Sequence, residues 1–423
     1  MRRWGWMGVV AASLMLASPA VAQDASDDVE RVTGRKPPPL PSEPKSAYVE
    51  GYQQEEVKNY DEYKDRPYEN TIYIGAEALQ MDPQYIYEVH KGLEMIYLRD
   101  YNGSKKHFKA LDSAFPGTGI SAVVDTLVWQ ALMLENFDYR YEDQYWVSSK
   151  RARAELDAAT ATPGNDGWER VLLTVVSGIE AIHTMRRAKY LSALQLAFES
   201  MDHLQKAREA APDFNDLLLA DGMYNYWRTV VTLNSTVLPD FGDKRVEGIE
   251  QMQQVERRAV FLGPAATLSL AFTWLEEGDM RRALMSCAKN RKAYPDNVVN
   301  NLVTGTTYLY MNKYQDALTV FDDIVRVSPK NNRVHYWRGV AYLKLDQLDE
   351  AEKELTTYLN ADHLEDYQRA GALWRMGLVH QKRKDWGKAY ASFTEANKSG
   401  GHKAAKAAAD KLKKRKKDGK IDF

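Results

Sequence analysis

The feature that most constrains this chain is a spacing of 34 residues. Gly305 and Gly339 stand 34 apart, as do Tyr308 and Tyr342, Ala317 and Ala351, and Phe321 and Leu355. One period earlier lie Ala271, Trp274, Ala283 and Cys287, and Pro295 parallels Pro329. One period later, after four extra residues, come Gly377, His380, Ala389, Phe393 and Ala396. A fixed period of this length marks stacked units, none of which can bury its apolar face alone. The residue types say what the unit is. A small residue at the eighth position and another at the twentieth let two antiparallel helices approach closely. An aromatic at the twenty-fourth fills the groove they leave, and proline ends the second helix. Where Cys287 replaces the aromatic, a small buried thiol suits the same slot.

These positions resemble the tetratricopeptide repeat, with units at 264–297, 298–331, 332–365 and 370–403. Weaker copies lie upstream. Residues 85–118 place Gly92, Tyr101, Phe108 and Pro116 at repeat-like positions, GISAVVDTLVWQALML and VLLTVVSGIEAIHTM begin further helices with Trp129 and Gly178 facing inward, and Ala207 and Pro212 close another unit. The expected fold is therefore all-α: a tetratricopeptide-type α-solenoid of antiparallel helix pairs. A divergent N-terminal helical half (85–263) precedes the four regular units (264–403). VLLTVVSGIEAI, with YLSALQLAFESMDHLQKAREAAPDFNDLLLADGMYNYW after it, is also similar to the inclusion-body-clearance and tetratricopeptide repeat protein 39 families. That resemblance spans about residues 170–330 and implies no catalytic residue.

The repeat breaks once. Gly222 takes an eighth position and Gly248 a twentieth, 26 residues apart where 12 is the rule, so about fourteen residues are inserted near 227–245. Tyr224, Tyr226, Trp227 and Phe241 make this stretch aromatic. It reads either as packing folded over the solenoid or as an interaction lobe.

The ends carry their own signals. Arg2 and Arg3, the apolar run GWMGVVAASLMLA and the Ala20-Val21-Ala22 site read as an export signal over residues 1–22. Its removal would change the formal charge from −2 to −4. No cysteine follows the cleavage site, so a periplasmic or secreted location is expected, without a lipid anchor. After cleavage no apolar run approaches a bilayer span. Residues 23–84 form a Pro- and Tyr-rich flexible or peripheral segment, with Pro37, Pro38, Pro39 and Pro41 favouring polyproline geometry. Residues 404–423 form a basic capping helix and tail; Lys413, Lys414, Arg415, Lys416 and Lys417 could touch an anionic surface.

Chemistry is sparse. Lys and Arg total 57 against 59 Asp and Glu, which argues against a nucleic-acid partner. The eight histidines lack the zinc-protease spacing, and the single cysteine, Cys287, excludes a thiolate zinc site. FPGTGIS reads as a turn rather than a phosphate loop. No catalytic, cofactor-binding or metal-binding residue is expected. The first helices would line a concave groove through Leu268, Phe272, Leu275, Leu302, Thr306, Leu309, Arg333, Tyr336, Val340, Leu343, Trp374 and Leu378. The groove lacks the Lys, Asn and Arg pattern of carboxylate clamps. It would take a protein partner's apolar segment, or be filled by the chain's own segments. The reading is a non-enzymatic envelope scaffold; the alternative is a pocket for a small molecule or an enzymatic site in the divergent half.

Overall fold

The computed structural model describes residues 39–44, 79, 81–161, 167–187, 189–233 and 242–423. Among them are 17 α-helices and no strand. The described residues are all-α, built of antiparallel helix pairs of the tetratricopeptide type.

Two compact units are present. The first, in its described part, holds α1 (Pro83–Tyr97), α2 (Tyr101–Ala114), most of α3 (Ile120–Asn136), α4 (Glu142–Thr160), α5 (Gly167–Arg186) and α6 (Tyr190–Ala210). It continues through α7 (Leu218–Leu233), α8 (Arg245–Arg258), α9 (Gly263–Glu277) and α10 (Met280–Ala293), and ends at Asn297. The second unit joins residues 133–140 to α11 (Val298–Tyr310), α12 (Tyr314–Val327), α13 (Asn332–Lys344), α14 (Leu348–Leu359), α15 (Asp366–Lys382), α16 (Trp386–Gly400) and α17 (Lys403–Lys417). The division falls after Asn297, one repeat later than the change to regular spacing at residue 264.

One turn recurs at the same repeat position. Arg99, Gly278, Asn312, Asp346 and Lys384 all have positive φ, between 58° and 77°. Each is followed by a residue whose N–H bonds back five positions: Asp100 to Met95, Asp279 to Trp274, Lys313 to Tyr308, Gln347 to Tyr342 and Asp385 to His380. A left-handed residue with this bond ends the first helix and satisfies its last carbonyls. The next helix often starts on a carboxylate. Asp100, Asp279 and Asp385 accept from Gly103, Arg282 and Lys388 N–H groups at 2.9, 2.9 and 3.2 Å.

Close helix approach follows the small residues. A Cβ on Gly339 would lie 2.7 Å from Leu355 Cγ, and one on Gly92, Gly305 or Gly377 would enter the ring of Phe108, Phe321 or Phe393. The groove-filling side chain at the twenty-fourth position thus sits on the bare backbone of the eighth. Within the second unit the first helices α11, α13 and α15 also meet one another, forming its inner layer. Ala389, Phe393 and Ala396 of α16 bury Ala405, Ala409 and Leu412 of α17, which closes the apolar end of the stack.

Candidate functional site

In the second unit, residues 133–140 lie across the N-terminal ends of α13 and α15. Asn331 does two jobs there. Its Oδ1 accepts the Val334 N–H at 3.1 Å and caps α13, while its Nδ2 donates to the Glu135 carbonyl at 2.8 Å. Gln368 repeats this on α15: its Oε1 accepts the Glu365 N–H at 3.0 Å and its Nε2 donates to the Phe137 carbonyl at 2.7 Å. Each amide is fixed by one local bond and reads main chain with the other group.

The Arg333 guanidinium is buried among three rings, 4.8 Å from the centre of Phe137, 5.1 Å from Tyr336 and 5.0 Å from Trp337. Such stacking holds a cation that water cannot reach. Arg333 also donates to the Tyr358 hydroxyl at 3.4 Å, and burial pushes that phenol up. Met133, Glu135 and Asp138 are buried, and Asp138 pairs with Arg140 at 2.5 Å. The face therefore holds polypeptide through side-chain amides and a stacked guanidinium.

The predicted groove positions divide unevenly. Thr306, Leu309, Arg333, Tyr336, Val340 and Leu343 are buried, as is Phe272 in the first unit. Leu268, Leu275, Leu302, Trp374 and Leu378 are half-buried. The Trp374 ring packs 5.0 Å from Phe393 of α16 and stacks at 5.3 Å on His402, the N-cap of α17. The inner layer of α13 and α15 is closely packed, since a Cβ on Gly371 would lie 3.6 Å from the Tyr336 hydroxyl. Much of the anticipated groove surface is thus internal contact.

In the inserted stretch, α7 runs as continuous helix to Leu233. Tyr224, Tyr226 and Trp227 are buried in it, while Phe241 lies outside the described residues. The Tyr226 hydroxyl donates to Glu277 at 2.7 Å, and Glu277 in turn pairs with the wholly buried Arg245 at 3.1 Å. Arg245 also bonds Asp243 at 2.7 Å and the Pro39 carbonyl at 3.0 Å. The three described aromatics therefore make internal contacts. On α17, Lys413, Lys414, Lys416 and Lys417 are exposed. Arg415 covers the Trp386 ring at 5.0 Å, and the Lys416 ammonium lies 4.5 Å from the Phe423 ring centre.

No convergent polar cluster was legible in the divergent half, yet the structure builds one. Glu180 is buried on α5 and accepts from Ser149 and Arg153 of α4; Arg153 also reaches Ser177 at 3.2 Å and Glu199 of α6 at 2.5 Å. Carboxylate and guanidinium satisfy one another across three helices, which suits a structural pairing more than a reactive group. The candidate residues that the repeat pattern alone did not point to are Asn331, Gln368 and Phe137. A signal existed: Asn297 and Asn331 are 34 apart, each just before a repeat's first helix, and Asn297 Nδ2 donates to the Tyr97 carbonyl at 3.1 Å.

Residues 302–365 match the family model described as tetratricopeptide repeat. A search of curated proteins finds no match. Solved structures that resemble the chain include a tetratricopeptide repeat protein from Parabacteroides merdae: 13% identity, 67% of this chain and 98% of that one, TM-score 0.40. The TPR domain of P58(IPK) is 12% identical over 79% of this chain and 99% of its own, with TM-score 0.25. The TPR2AB domain of yeast Sti1, in a complex with pHSP90, is 14% identical over 57% of this chain and 96% of its own, with TM-score 0.23. No helix among the described residues is long and apolar enough to cross a membrane.

Proposed function

We propose, starting from the premise that this chain is a tetratricopeptide-repeat protein, that it is an exported, non-enzymatic scaffold of the cell envelope which binds a polypeptide partner on its inner face. The observation that carries this is the pair of amides on Glu135 and Phe137. A face that already grips main-chain carbonyls through Asn331 and Gln368 has the chemistry to hold polypeptide. The half-buried Leu302 and Leu378 offer apolar surface in the same unit, and Leu268 and Leu275 do so in the first. Export rests on the signal at residues 1–22, and the exposed lysines of α17 could add contact with an anionic envelope surface.

The test is site-specific photo-crosslinking of the mature protein in its own envelope, from position 302 and from the exposed Lys353 as control. A stoichiometric polypeptide captured from 302 alone supports the reading. A co-purifying small molecule with no protein partner would reverse it in favour of a pocket in the divergent half. N-terminal sequencing should find Gln23 first, and failure to bind anionic vesicles at low salt would remove the α17 contact.

A further inference from the structure

Building on the scaffold reading above, we infer that the face made by the N-terminal ends of α13 and α15 is a receptor for the C-terminal end of a helix. Residues 133–140 occupy it in cis, where a partner's helix end would sit.

The chemistry of the occupant points there. The last carbonyls of any helix lack intrahelical donors. At the end of α3, Phe137 adopts φ 55° and reverses the chain, and the Asp138 N–H bonds the Met133 carbonyl at 3.1 Å. The Glu135 and Phe137 carbonyls are taken by Asn331 and Gln368. Arg333 brings a positive charge to the negative end of the helix dipole while covering the Phe137 ring. Asp138 follows, buried, close enough to act on Tyr358.

Among the side chains, the Phe137 ring lies against Arg333 and the buried Asp138 acts on Tyr358. A competing ligand therefore needs a helix terminus, an aromatic at the left-handed position and an acid after it. The first unit uses the same grip. Asn297 takes the carbonyl of Tyr97, the last residue of α1, and the Tyr97 ring packs 5.3 Å from Tyr294. An asparagine placed just before a repeat's first helix thus takes a helix-end carbonyl in both units.

The experiment uses the full mature chain and a fluorescein-labelled peptide of residues 131–140, ALMLENFDYR. Phe137→Ala in the chain weakens the cis occupant, so the peptide should bind at least about tenfold tighter than to the parent, as the binding-competent fraction rises. Adding Asn331→Ala and Gln368→Ala should abolish that gain, and a peptide with alanine in place of Phe137 should not bind. Equal tight binding by parent and Phe137→Ala would overturn the cis occupancy while leaving the scaffold reading standing. No binding by either folded protein overturns the receptor itself, and crosslinking from position 302 then judges the scaffold separately. Should Phe137→Ala fail to fold, excess unlabelled peptide on the parent must speed amide exchange at Asp138; unchanged exchange refutes the inference.

Discussion

Gly222 and Gly248 meet backbone to backbone. A Cβ on Gly248 would stand 2.5 Å from the Gly222 carbonyl oxygen, and one on Gly222 would stand 2.8 Å from that of Gly248. Neither oxygen can move without moving its helix, so Gly248→Ala should cost about 2 kcal/mol by overpacking. Gly178 is the control: its added Cβ would meet only Ser200 Oγ, at an ordinary 3.5 Å. Gly178→Ala should instead gain about 0.5–1 kcal/mol from reduced backbone entropy. Urea unfolding of both variants reads the difference; equal effects would mean that α7 and α8 are not packed this closely.

The pairing of the eighth and twenty-fourth positions predicts a second result. Glycine accompanies phenylalanine at 92 and 108, 305 and 321, and 377 and 393, whereas Ala271 accompanies Cys287. Both of the latter are buried. Cys287→Phe should destabilise by about 1–3 kcal/mol, because Ala271 fills the space a ring needs. Adding Ala271→Gly should restore much of that loss, a coupling that a double-mutant cycle measures. Additive effects would show that the two positions do not touch.

These pairs explain why the fold was legible. Helix packing at the eighth, twentieth and twenty-fourth positions is a local steric rule, and a rule repeated every 34 residues shows in the letters. The candidate site follows no such rule. Phe137 reaches Arg333 and Gln368 across roughly two hundred residues of sequence, and nothing near it in the chain announces the contact. Trp374 shows the limit from the other side. Its position in the repeat suggested a ring lining the groove, but the chain supplies His402, the N-cap of α17, as a stacking partner from outside the repeat pattern. The buried Glu180–Arg153 pairing was hidden for the same reason, since its helices belong to the half whose spacing is irregular.

Asn331 separates capping from recognition. Aspartate is as good an N-cap as asparagine, so Asn331→Asp keeps the bond to Val334. It removes the donor to Glu135 and sets a carboxylate against that carbonyl in a buried place. The variant should lose about 1–3 kcal/mol, the cost of leaving buried polar groups unsatisfied. Chemical denaturation checks this; a loss below a few tenths of a kcal/mol would mean that the Glu135 bond contributes little.

Two buried groups in the first unit should give opposing pH dependences. Burial beneath Tyr145 and Trp146 lowers His183 from 6.5 to about 4, against the opposing pull of Glu142. Between those values the unfolded chain binds the extra proton, so this group's contribution to stability is lost as pH falls through that window. Asp216 runs the other way. Burial raises it from 3.8 to about 6, although it accepts the N–H groups of Val260, Phe261 and Leu262 at 2.7, 2.8 and 2.9 Å. Between pH 3.8 and 6 the folded chain holds the extra proton, so stability from Asp216 falls as pH rises. Across the shared window the two slopes offset in the parent. Removing the imidazole by His183→Gln should therefore leave stability falling more steeply with rising pH from about 4 to 6, and Asp216→Asn should turn the slope upward. Urea midpoints across that range read slope independently of any constant loss from the substitution. Parallel curves for parent and variants would show that neither group changes its proton affinity on folding.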